Sequence, residues 1–83
     1  MTRTAKLYAK FLERRPLTFA EFQRLLEAFG YDLDRVRGSH HTYRHPVLAQ
    51  RMQIQPRGKD AKAYQVDQFR DIVERHGLTL DDL

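Results

Sequence analysis

The run "PLTFAEFQRLLEAFGY", residues 16–31, constrains this chain more than any other stretch. Thr18 precedes Glu21 by three residues, the spacing at which a hydroxyl and a carboxylate satisfy two of the free N–H groups that open a helix. Leu17 and Phe22 stand where a hydrophobic staple packs, and Gly30 stands where a left-handed residue ends the helix. Between these ends Phe19, Phe22, Leu26 and Phe29 recur at helical spacing with Leu25 beside them. One face of a helix starting at Thr18 is therefore too apolar to meet water and has to be covered by a second layer.

The remaining sequence has to supply that layer from a small stock. A chain of 83 residues, 41% hydrophobic, suffices for one small domain with a single modest core. Without cysteine there is no disulfide framework and no thiolate metal site, so packing alone must hold the fold, and a reducing cytoplasm is the expected compartment. No apolar run is long enough to span a bilayer. The N-terminal "MTRTAKLYAKFLERRP" alternates charged with apolar residues instead of forming a signal-peptide core, so a soluble, unprocessed protein with no membrane partner is expected.

Leu7, Tyr8, Phe11 and Leu12 form a shorter apolar stripe, which predicts an N-terminal helix stopped by Pro16. After Gly30 the period changes. "YDLDRVR", "HTYRH" and "QRMQIQP" are short segments of alternating polarity bounded by Gly and Pro, the pattern of three antiparallel strands in a meander. From about Tyr64, the residues Val66, Phe69, Ile72, Val73 and His76 return to helical spacing, with Gly77 as the stop. Thr79 lies three residues before Asp82, which suggests one more capped turn. The order helix, helix, three strands, helix predicts a two-layer α+β domain over residues 1–83, with both long helices on one face of the sheet and the other face wet.

Charge is concentrated where the strands fall. Between residues 35 and 62 seven basic side chains (Arg35, Arg37, Arg44, Arg51, Arg57, Lys59 and Lys62) stand against one acid, Asp60. Such a field favours a phosphate-rich partner. In the same region "GSHHTYRHP", residues 38–46, holds three of the four histidines. On a strand His41 and His45 share a face but lie about 13 Å apart, and His40 points the other way, so the three do not suit one zinc ion. Proton transfer suits them better, because imidazole titrates near neutrality and the neighbouring cations can hold a phosphodiester. In metal-free RNA cleavage the 2′-hydroxyl attacks the adjacent phosphorus with help from a base, an acid and cations. The plainer alternative has His40 and His41 filling a hairpin and Tyr43 filling the core.

The string "GSHHTYRHP", preceded by "LLEAFGYDLDRVR" and followed by "QIQPRGKDAKAYQVDQFRDIVERHGL", resembles the HicA-type toxins, small endoribonucleases of bacterial toxin–antitoxin pairs. The resemblance covers residues 17–78 and leaves residues 1–16 as an N-terminal helical extension. It implies a double-stranded-RNA-binding-domain-like fold, a three-stranded antiparallel sheet backed by two helices. It also implies that His40, in Gly-Ser-His, is catalytic. Many members carry a second histidine after the third strand, where this chain reads "IQPRGKD" and offers Arg57.

The expected protein is thus a metal-independent, cofactor-free toxin that cleaves messenger RNA and is silenced by a HicB-type antitoxin. Its expected RNA-binding residues are Arg37, Ser39, Arg44, Arg57, Lys59 and Lys62, the last two near a helix start that favours anions. His41, Tyr43 and His45 are auxiliary candidates, with Tyr43 read first as core. The alternative function is a non-catalytic RNA-binding module of the same fold.

Overall fold

A computed structural model describes residues 2–80. Helix α1 spans Arg3–Leu12 and α2 spans Phe19–Ala28. Strands β1 (Asp32–Arg37), β2 (His40–Arg44) and β3 (Met52–Ile54) follow, then a small hairpin of β4 (Pro56–Arg57) and β5 (Asp60–Ala61), and finally α3 (Ala63–His76). This is the expected α+β architecture, a three-stranded antiparallel sheet in the order β1-β2-β3 with α2 and α3 in the positions of a double-stranded-RNA-binding domain. Asp82, on which the capped turn after Thr79 depends, lies outside the described residues.

The capping box at α2 forms as its spacing predicts. Thr18 Oγ1 accepts from the Glu21 N–H at 3.1 Å, and Glu21 Oε1 accepts from the Thr18 N–H at 2.9 Å. Gly30, at φ +96°, closes the helix, with the Tyr31 N–H donating to the Leu26 carbonyl. Helix α1 ends earlier than Pro16 would require. Arg14 takes the left-handed conformation at φ +59°, and the Arg15 N–H donates to the Lys10 carbonyl, the same closure made without glycine. Pro16 then follows a helix that is already finished.

One core joins the layers. Phe69 of α3 packs against Phe11, Phe22, Phe29 and Tyr31 with ring centroids 5.3–5.9 Å apart. Tyr43, Met52 and Ile54 face it from the sheet, and all are buried. Helix α1 is fastened to this core by two cations. Lys10 Nζ lies 2.8 Å from the Glu21 carboxylate, and the Arg70 guanidinium stacks 4.2 Å from the Phe11 ring while donating to the Phe11 carbonyl. That carbonyl, in the last turn of α1, also accepts from the Arg14 N–H at 3.2 Å, so Arg70 is a second donor to the helix end, supplied from another element.

The third strand is shorter than "QRMQIQP" suggests, because the chain leaves the sheet after Ile54. Pro56 and Arg57 instead pair with Ala61 and Asp60 around a Gly58-Lys59 turn, with Gly58 at φ +62°. The hairpin is held against the start of α2 by main-chain bonds, Phe19 N–H to the Lys59 carbonyl at 2.8 Å and Ala61 N–H to the Leu17 carbonyl at 3.0 Å.

Candidate nucleic-acid interface

The candidate site begins with a two-residue turn. Arg37 pairs with His40 across Gly38-Ser39, and Gly38 takes φ +57°, the conformation a II′ hairpin requires at its first turn position. The histidine is thereby fixed as the first residue of β2, directly opposite an arginine.

Alternation along β2 then separates the histidines. His41 and Tyr43 face the helices. His40, Thr42 and Arg44 face away, on the side that no helix among the described residues covers. On this open face His40 shares a shallow cleft of about 280 Å³ with Arg35, Arg37, Thr42, Arg51 and Gln53. The cations come from both neighbours of β2, since Arg35 pairs with Thr42 on one side and Thr42 with Gln53 on the other. Asp34 lies 3.2 Å from Arg51 and 3.9 Å from Arg35, and partly offsets their charge. His40 is exposed. Arg44, four residues along the strand, lies about 13 Å from it on the same face.

The auxiliary candidates divide between roles. His41 is half-buried with its ring edge-on to Phe19, centroids 4.9 Å apart, and Nδ1 lies 3.1 Å from the Ser39 carbonyl. A carbonyl only accepts, so this bond places a proton on Nδ1 and leaves Nε2 as the nitrogen available for proton transfer. His45 is structural. Its Nδ1 accepts from the Val47 N–H at 3.1 Å, and its ring packs 5.1 Å from Tyr31. Tyr43 is core, with its hydroxyl accepting from Gln23 at 3.1 Å, and burial raises its pKa above the usual tyrosine value.

The remaining expected phosphate binders form a second group. Arg57 in β4 and Lys62, just before α3, line a larger groove of about 1060 Å³, and Lys59 occupies the intervening turn. Arg14, Arg15 and the buried Arg70 also line it. The Lys62 side chain makes no capping hydrogen bond to the α3 N-terminus and lies 6.0 Å from the Tyr64 ring centroid. The basic residues expected to act together are therefore split, with Arg37 and Arg44 on the sheet and Arg57, Lys59 and Lys62 at the hairpin.

Sequence reasoning left Arg35, Arg51, Thr42 and Gln53 out of the site. Arg35 and Arg37 are alternate residues of a strand that turns directly into His40, so strand periodicity carried a signal for Arg35. Arg51 and Gln53 required the β2–β3 register, which a loop of irregular length conceals. Arg14 and Arg15 reach their groove through a chain reversal that no motif marks.

The family model for the HicA toxin of bacterial toxin–antitoxin systems matches residues 19–80 of the chain. No curated protein and no solved structure matches it.

Proposed function

Because the chain belongs to the HicA toxin family of bacterial toxin–antitoxin systems, we propose that it is a metal-independent endoribonuclease cleaving single-stranded messenger RNA. The observation that carries this reading is an exposed histidine on an uncovered sheet face, opposite Arg37 and in one cleft with Arg35 and Arg51. His40 takes the proton from a ribose 2′-hydroxyl as that oxygen bonds to phosphorus. The bond from phosphorus to the 5′ oxygen breaks, and water protonates the leaving oxygen. Arg37, Arg35 and Arg51 stabilise the charge that builds on the phosphoryl oxygens. Ser39 and Arg44, with Arg57, Lys59 and Lys62 at the hairpin, hold the flanking backbone.

A second assignment has one observation in its favour. The Ser39 carbonyl fixes the tautomer of His41, and a base whose orientation is set in advance needs less reorganisation to act. Its half-burial on the helix side keeps it from the Arg35 and Arg51 guanidinium groups, and His40 is the better catalyst on that ground. Family membership also implies a cognate antitoxin. A HicB-type protein covering the open face with acidic groups would associate quickly and block His40.

The test uses an RNA substrate and its counterpart with a single 2′-deoxy nucleotide at the cleaved position, both in excess EDTA. The expected result is cleavage of the first, leaving 2′,3′-cyclic phosphate and 5′-hydroxyl ends, and none of the second at that position. Cleavage of the deoxy substrate there, or activity that EDTA abolishes and magnesium restores, overturns the mechanism.

A further inference from the structure

Among the described residues the outer edge of β1 has no partner, since β1 pairs only with β2. Two of the five large hydrophobic side chains exposed among the described residues lie on it, Leu33 at 49% and Val36 at 48%. The strand reads Asp-Leu-Asp-Arg-Val-Arg, which is charge-complementary to itself when reversed. Laid antiparallel against a second copy, Asp32 falls opposite Arg37, Leu33 opposite Val36, and Asp34 opposite Arg35.

In a regular strand that register could not form about a two-fold axis normal to the sheet. Leu33 and Val36 are three residues apart and would point to opposite faces, whereas opposed residues must share one. Here a register shift between Leu33 and Arg35 inserts one residue. Leu33 lies opposite Tyr43 and Val36 opposite His41, two residues of β2 that share a face, so the bulge brings both apolar side chains to the helix side. Asp32 and Arg37 lie opposite Arg44 and His40, on the open side. The bulge thus gives the strand the parity that self-pairing needs. A shift of two residues in either direction destroys the Leu33–Val36 match, so one register is selected.

We propose that β1 is a homodimerisation edge, pairing antiparallel with β1 of a second copy to make a continuous six-stranded sheet. The axis normal to the sheet puts both open faces, each with its His40, on the same side. Charges and a bulge on an edge strand ordinarily discourage pairing with other chains. In this strand the same devices discourage foreign strands and admit an inverted copy of itself. With only one strand and two apolar pairs flanking its centre, the interface is small, and dissociation in the range of about 10–100 μM is expected.

Light scattering of the purified chain across about 1 to 300 μM, a span around that expected constant, should show the mass rising toward twice the chain mass. D32R places arginine opposite Arg37 twice per dimer and should raise the dissociation constant about tenfold. The double variant D32R/R37D restores opposite charges and should recover dimerisation. The chain has no cysteine of its own, so single-cysteine variants give a clean second reading. L33C mixed with V36C and oxidised should yield the mixed cross-link well above its statistical share, because directly opposed residues are the ones within disulfide reach. A chain that stays monomeric throughout, or cross-links in statistical proportion, overturns the proposal. An edge that takes a strand of some other protein leaves the isolated chain monomeric and gives that same refuting result.

Discussion

Replacing His40 and His41 separately by alanine should dissociate activity from stability, because the two rings sit on opposite faces of one strand. His41 packs against Phe19 and bonds to the Ser39 carbonyl. An aromatic pair contributes about 0.5–1.5 kcal/mol and a half-exposed hydrogen bond about 0.5–1 kcal/mol, so H41A should destabilise by about 1–2 kcal/mol. At about 2.1 cal/mol/K of unfolding entropy per residue, a chain of this length loses about 5–10 °C in Tm. His40 is exposed, and H40A should move Tm by less than about 3 °C. Its cleavage rate should fall about 10²- to 10⁴-fold, the usual contribution of a general base. Thermal unfolding followed by circular dichroism, with single-turnover cleavage by excess protein well below either Tm, separates the two effects. If H41A abolishes cleavage at a temperature where it is fully folded while H40A stays active, the assignment of the base passes to His41.

Three further outcomes follow from the site and its supports. Alanine at Arg44, Arg57, Lys59 and Lys62 together should weaken RNA binding for all sequences alike, each lost phosphate contact flattening the log–log salt dependence by up to about one unit; filter binding at several salt concentrations reads this, and an unchanged slope moves the RNA path elsewhere. R70M removes the charged cap on the Phe11 carbonyl and its stacking on the ring, and should lower stability by about 1–3 kcal/mol in urea unfolding; equal or greater stability would mean that burying the guanidinium costs as much as its contacts return. The Lys10 ammonium and the Thr18 N–H hold the Glu21 carboxyl below its ordinary value of 4.5. That stability is complete above the unfolded-state pKa and is lost as pH falls through the lower folded-state value, so E21Q should flatten the acid limb of a plot of urea midpoint against pH.

The elements legible in the sequence were those whose signals are local. Thr18, Glu21 and Gly30 specify both ends of α2 through hydrogen bonds that span three to five residues, and Gly77 ends α3 in the left-handed conformation its position suggests. The face of His40 could be read from alternation once a two-residue turn was placed at Gly38-Ser39. The short hairpin at Pro56–Ala61 was hidden, because it breaks a segment that otherwise reads as the end of a strand. The early stop of α1 was hidden as well, since it depends on an arginine in a conformation that propensity assigns to glycine. Arg51 joins His40 only through the pairing of β3 with β2, and such non-local register leaves no trace in a short stretch of sequence.

The main-chain bonds between Phe19 and Lys59 and between Ala61 and Leu17 have a consequence for how the molecule meets a long ligand. Phe19 also supports His41, the residue next to the candidate base, so the histidine turn and the lysine-bearing hairpin are both referred to the first turn of α2. The span between the two groups of cations is accordingly set at the hairpin end by backbone amides, which no side-chain substitution other than proline removes, and at the histidine end by the Phe19–His41 ring contact, neither of which involves a lysine or arginine side chain. Individual lysines and arginines can be exchanged along such a frame without changing its length. A bound strand would meet a ruler of fixed spacing whose markings alone are variable.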